Sequence, residues 1–242
     1  MAASILSEDT STRCEDVLAH LPISKTMEYA NRQTIYGLDT YPTSIYLVVK
    51  GTVGISHIAN DGSEVLLDIV RPDDLFGESA FLQAPRRPER AEAIETAEVM
   101  SWSVSEMEDL VTKRPRLAVA LLQVLVQRNV EYRQRIESFA TDSIARRLAR
   151  SLLRLSDRLG TPEESGSVRM MPLSHYMLSR YIGTSREIVT HHMCEFRKQG
   201  YVDYSRRGIS LHRDTLRKVL DAGVKTNGRD TYASADRGRA EA

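Results

Sequence analysis

Arg186 and Glu187 stand side by side after Gly183-Thr184-Ser185, and Thr190 and His191 follow one helical turn later. A guanidinium can give two parallel hydrogen bonds to guanine O6 and N7, and a carboxylate can accept from a cytosine amino group. Side chains of this kind read base edges when they lie near the start of a helix set in a major groove. On a helix, Arg186, Glu187, Thr190, His191, Cys194, Arg197 and Lys198 fall on one side. Ile188, Val189, His192, Met193 and Phe196 fall on the other, which is expected to pack on its own domain. A carboxylate close to DNA phosphates needs a reason. Glu187 can close a capping box with Thr184, but its place beside Arg186 favours a base contact.

The surrounding residues fit that use. Ser174 is placed to cap a preceding helix, Gly183 permits a sharp turn, and Thr184 or Ser185 can cap the next helix. Two short helices joined by a glycine turn form a helix-turn-helix. Residues 200–211 then read as a hairpin with Arg206 and Arg207 at its tip. These arginines suit a solvated turn or, directly after a helix-turn-helix, a wing that touches phosphate. The predicted DNA contacts are Ser174, Ser185, Arg186, Glu187, Thr190, His191, Arg206 and Arg207. His175, His191, His192 and Cys194 also raise the question of zinc. Adjacent histidines on a helix diverge, and neither HExxH nor a paired CxxC is present, so no metal site is expected.

Other elements must hold this head in place. From residue 115 to about 139, Ala118, Leu122, Leu125, Asn129, Tyr132, Ile136 and Phe139 recur at spacings of four and three. That narrow seam, flanked by Arg128, Arg133 and Arg135, predicts a two-helix dimer contact in which Asn129 fixes the register. A helix packed only on its own domain is the alternative. Thr141-Asp142 is expected to start a second helix running to Leu159, with a loop over 160–167 and a polar tail after Asp221. Upstream, β-rich runs at 45–49, 53–58, 65–70 and 99–104 are broken by turns, among them Asn60-Asp61-Gly62. Short strands so spaced predict a sandwich or barrel with a cavity.

The chain of 242 residues has no net charge, but its halves differ. Residues 1–112 carry 8 basic and 19 acidic residues, a net of −11, and the remainder carries 25 and 14, a net of +11. A basic half beside a base-reading motif attracts nucleic acid. The polar, acidic residues 1–13 are unlike a signal peptide, and there is no long apolar run, so a cytosolic chain is expected and no membrane partner. Cys14 and Cys194 are too few for a four-thiolate iron–sulfur cluster. No Ser-His-Asp order, phosphate-cradling glycine loop or carboxylate pair points to an enzyme. A signalling module without DNA fits the first half but not the reading head.

Gly183-Thr184-Ser185-Arg186-Glu187-Ile188-Val189 resembles the recognition-helix entry of the cyclic-AMP receptor protein and fumarate–nitrate-reduction regulator (Crp–Fnr) family. The long helix resembles that family's dimerisation helix, and Phe76-Gly77-Glu78 resembles the start of its phosphate-binding cassette. The resemblance spans roughly residues 20–220 and implies an α+β architecture. Its parts are a flexible N-terminus (1–16), a β-roll sensor of the cyclic-nucleotide-binding type, that is a double-stranded β-helix (17–112), a dimerisation helix (113–140), a winged helix-turn-helix (141–221) and a disordered tail (222–242). It implies a homodimeric transcription regulator on palindromic double-stranded DNA, working with RNA polymerase and controlled by a small effector. Gly77, Glu78, Arg87, Pro88, Glu131 and Tyr132 occupy the effector positions, with Glu78 on the ribose and Arg87 on the phosphate. The family has Ser or Thr where Pro88 stands, and proline offers neither hydroxyl nor N–H. Its cAMP receptors meet adenine with a Thr-Ser pair where this chain has Glu131-Tyr132. Both departures argue against cAMP. They leave another cyclic nucleotide, a different small effector or effector-independent action, beside the family's cAMP response. His191 replaces a second reading arginine, which relaxes base preference at one position.

Overall fold

The computed structural model describes residues 16–82 and 84–221. Cys14, the expected flexible N-terminus up to residue 15 and the 222–242 tail lie outside them. The chain divides into two compact units at the Ser138–Phe139 step.

The first unit holds β1 (Thr26–Tyr29), β2 (Thr34–Tyr36), β3 (Ser44–Lys50), β4 (Val53–Ile58), β5 (Glu64–Val70), β6 (Leu75–Phe76), β7 (Arg90–Ala93) and β8 (Ala97–Ser103). They form two four-stranded antiparallel sheets, β1-β8-β3-β6 and β2-β7-β4-β5. Both sheets feed one core that includes Tyr36, Val48, Val53, Val70, Phe76, Ala91 and Val99. Strand β3 explains its unbroken apolar run: Tyr46 and Val48 point into that core, while Ile45 and Leu47 join a second cluster with Trp102, Met107 and Leu117. The Asn60-Asp61-Gly62 turn closes β4 on β5, with Gly62 at φ 81° and Asp61 Oδ1 accepting from Ser63 N at 2.9 Å.

The strand expected over 99–104 stops one residue early. Ser103 instead caps α1 (Val104–Lys113) in a capping box with Glu106, and the helix starts two residues before the point, after Ser105, where the sequence turns to a helical period. Pro115, which has no N–H to lose, opens α2 (Pro115–Thr141). Leu117 and Ala120 bury its first turns. Further along, Arg128 Nη1 donates to Glu78 Oε1 at 2.5 Å and Nη2 to the Leu75 carbonyl. Arg135 donates to the carbonyls of Leu66, at 3.1 Å, and Leu67. No described helix is long and apolar enough to cross a membrane.

In the second unit, Ser143 caps α3 (Ile144–Leu159), so this helix begins slightly later than expected. Asp142, its side chain 2% exposed, accepts from Arg146 Nε at 3.2 Å and Arg150 Nε at 2.8 Å. The expected 160–167 loop contains β9 (Thr161–Pro162), which pairs with β10 (Val168–Met170). Then come α4 (His175–Ile182), α5 (Arg186–Lys198), β11 (Val202–Ser205), β12 (Gly208–Leu211) and α6 (Arg213–Asp221). The small sheet has the order β11-β12-β10-β9. Helix α6 packs on α3 and buries Leu216, and no helix was expected there.

Candidate nucleic-acid interface

Helices α4 and α5 are set by their ends. Ser174 Oγ accepts from Met177 N at 3.1 Å and Ser185 Oγ from Ile188 N at 3.3 Å. Ser185 rather than Thr184 is therefore the cap of α5, and the Thr184–Glu187 box does not form. Gly183 ends α4 in the left-handed region at φ 67°, and a Cβ there would lie 2.8 Å from Phe139 Cε1. Gly183→Ala is expected to cost about 1–2 kcal/mol from the left-handed backbone alone. Thermal unfolding checks this, and an unchanged midpoint would show that the turn is not held as described.

Val189, Met193 and Phe196 are buried behind α5, while Arg186, Glu187, His191, Cys194, Arg197 and Lys198 are exposed. Ile188, assigned to the packing side, is 38% exposed and lies on the rim instead. The Glu187 carboxylate is held below its usual range by its own backbone N–H and by the Ser185 hydroxyl, so it is ionised at the head of the helix. Thr190 is more constrained than expected. Its hydroxyl donates to the Arg186 carbonyl at 2.8 Å and lies 2.9 Å from His175 Nδ1, so its one proton is not available to a base. Burial, and then the nearby Arg186 charge, pushes His175 down and keeps it neutral. The His175 ring also meets Tyr204 edge-on at 5.3 Å, which ties α4 to the hairpin.

That hairpin is the expected wing. Tyr204 lies under the Arg197 guanidinium at 5.3 Å, with its hydroxyl 3.6 Å from Cys194 Sγ. Arg206 and Arg207 are exposed at the tip, where Arg207 N donates to Ser205 Oγ. Gly208 follows because a Cβ there would come within 2.5 Å of the Met170 carbonyl oxygen. His191 and His192 do not diverge as expected: their rings meet edge-on at 5.2 Å, and Glu195, to which the histidine spacing alone did not point, lies beside both. Its Oε2 is 3.5 Å from His191 Nε2 and 3.5 Å from His192 Nδ1.

The effector positions belong to the first unit. Arg87 has only 1% of its side chain exposed. Its Nη2 donates to Ser44 O at 2.6 Å, and its Nη1 to Gly77 O at 3.2 Å and Ser79 Oγ at 3.3 Å. The guanidinium lies 3.9 Å from the Tyr36 ring centroid and the same distance from Glu89. Tyr36, Tyr46 and Phe76 stack beside it. Gly77 sits at φ 79°, and a Cβ there would be 2.9 Å from Tyr46 and 3.2 Å from Arg87 Nη1. Glu78 turns to Arg128, Pro88 is exposed, and its carbonyl lies 2.8 Å from His57 Nδ1. Glu131 accepts from Gln127 at 3.2 Å. Tyr132 is pushed up to about 12, by burial and then by Asp68. The carbonyl and aromatic surroundings of Arg87 were not legible in the order of residues, because Ser44, Tyr36 and Gly77 meet it only through the fold.

Of the seam on α2, Leu122, Leu125, Tyr132 and Ile136 are between 38% and 68% exposed. Asn129 is exposed on the same side. Phe139 is 41% exposed and lies under the Arg147 guanidinium at 4.7 Å.

Two family models match the chain: a cyclic nucleotide-binding domain over residues 26–114 and a Crp-like helix-turn-helix domain over 146–219. The transcriptional regulator SdrP of Thermus thermophilus is 34% identical over 65% of this chain and 73% of its own. A CRP-like cAMP-activated global transcriptional regulator of Mycobacterium tuberculosis is 27% identical over 76% of this chain and 83% of its own. The structure of FixK2 from Bradyrhizobium japonicum superposes with a TM-score of 0.73 at 23% identity, covering 82% of this chain and 98% of that one.

Proposed function

The chain belongs to the Crp/Fnr family of DNA-binding transcription regulators, which are not enzymes, and from that premise we propose that it acts as a homodimer reading a palindromic operator through α5 and the wing. The observation that carries this reading is the division of α5. Val189, Met193 and Phe196 anchor it, leaving Arg186, Glu187 and His191 free to meet base edges. Arg206 and Arg207 then take phosphate. The seam of α2 supplies the second copy, and RNA polymerase is the partner through which bound operator is turned into regulation. Selection from a randomised operator library tests the reading. A two-fold symmetric motif with half-sites roughly 34 Å apart, about one helical turn, is expected, and the resemblance to the family implies a TGA-like core in each. An asymmetric or featureless selection would sink it.

The β-roll is an effector domain by family, and its effector is a small molecule if one is used. The contacts of Arg87 favour a second reading, action without an effector. A cation that already has three oxygen acceptors, an aromatic face and a nearby carboxylate gains little from a phosphate. Pro88 removes two further donors, and Glu78 is held by Arg128. Calorimetry on the full chain is expected to detect no cAMP binding at micromolar concentrations, and operator affinity is expected to be the same with and without cAMP. Micromolar binding that is lost in Arg87→Ala would restore the family's cAMP pocket.

A further inference from the structure

Helix α5 carries three metal-ligating side chains that the base-reading role does not use together. His191, His192 and Glu195 bring one ligand atom each to within 4.8 Å of one another, and no other trio of His, Cys, Asp and Glu among the described residues does so. The helix explains the cluster. Glu195 follows His191 by four residues and His192 by three, so its carboxylate rises between the two rings. One oxygen already lies 3.5 Å from a nitrogen of each imidazole. In tetrahedral zinc sites, ligand bonds of about 2.0–2.1 Å put the ligand atoms roughly 3.3–3.4 Å apart. Two of the three spacings are near that value, and only the two imidazoles must close. A second observation points the same way. His192 Nδ1 is buried and has no hydrogen-bond partner, and it faces the carboxylate. A buried polar atom left unsatisfied is costly unless something is meant to meet it.

We infer that His191, His192 and Glu195 bind a zinc-type divalent cation on the flank of the reading helix. The donor set, two neutral imidazoles and one carboxylate, suits zinc and disfavours magnesium or calcium, which take oxygen ligands. It leaves a fourth position for water. The site is open to solvent, with His191 66% and Glu195 47% exposed. His191 stands at the border of the groove-facing side, whereas Glu195 lies outside it. Coordination therefore locks His191 beside Glu195, closes it on His192 and takes it out of the set that faces DNA, and the cation switches what α5 reads at one base pair. The effect on DNA rests on α5 being the reading helix; the binding does not.

The test uses the full-length protein freed of metal with a chelator. Calorimetric titration with zinc chloride is expected to show one site per chain, at least tenfold weaker in Glu195→Gln. That variant changes an exposed side chain, so the fold is expected to survive, and magnesium chloride is expected to give no heat. Operator selection with and without zinc then reads the switch. Zinc is expected to relax wild-type preference at one position, matching metal-free His191→Ala, and to leave Glu195→Gln unchanged. Absent zinc binding, or equal binding by Glu195→Gln, overturns the site. A selected motif indifferent to zinc overturns the switch. Failure of the α5 assignment is distinct, because Arg186→Ala would then also leave the motif unaltered.

Discussion

Replacing both Leu125 and Ile136 with glutamate is expected to give monomers that no longer hold operator DNA. The two side chains are 42% and 68% exposed on the single chain, and they lie on the stripe with Leu122, Asn129 and Tyr132. Burying an aliphatic side chain of this size stabilises by about 1.5–3 kcal/mol. A symmetric contact buries each position twice, so the double variant removes four contributions, each a part of that figure because the side chains are already partly covered, and sets carboxylates near one another across the axis. A monomer also loses the second half-site, and with it the gain from binding two linked sites at once. Sedimentation velocity and a mobility shift on the selected operator check both effects. A double variant that still sediments as a dimer would show that the stripe serves another purpose.

Arg186→Ala is expected to cost about 1–3 kcal/mol of operator affinity and to relax the choice of one guanine, because a bidentate base contact disappears. Arg206→Ala is expected to weaken all sequences alike and to reduce the salt slope by about one, because only a phosphate partner is lost. His191→Arg supplies a second fork of donors and is expected to sharpen preference at a neighbouring base pair. Randomised-operator selection on wild type and the three variants separates these effects. If Arg186→Ala leaves the motif intact, α5 is not the reading head.

What was legible in the residues follows from range. The helix-turn-helix, the wing and the exposed apolar stripe of α2 are built from neighbours a few positions apart, so spacing and turn chemistry disclosed them. Gly183, Ser174 and Ser185 act within one turn of chain, and their places were readable to within a residue. The start of α1 was placed two residues late because Ser103 ends a strand and starts a helix with no loop between. Helix α6 and the β9–β10 pair were missed because they are short and owe their form to packing on α3 and β12. The surroundings of Arg87 were out of reach for a different reason. Its partners come from β2, β3 and the turn after β6, and only the sheet order brings them to one guanidinium.

Arg128 and Arg135 look, in the sequence, like a solvated border of the seam. Both instead reach back to carbonyl oxygens of the β-roll, and Arg128 adds the Glu78 carboxylate. Two such anchors, two turns apart along α2, fix the azimuth of the helix about its own axis. A helix free to spin would offer a partner any of its sides; this one is keyed, so the outward stripe is set by the sheet before a partner arrives. In the proposed dimer, the angle at which two copies meet is thereby written into the sensor half of the chain. A change at Leu66, Leu67, Leu75 or Glu78 can reach the geometry of the dimer without altering any residue that another copy touches.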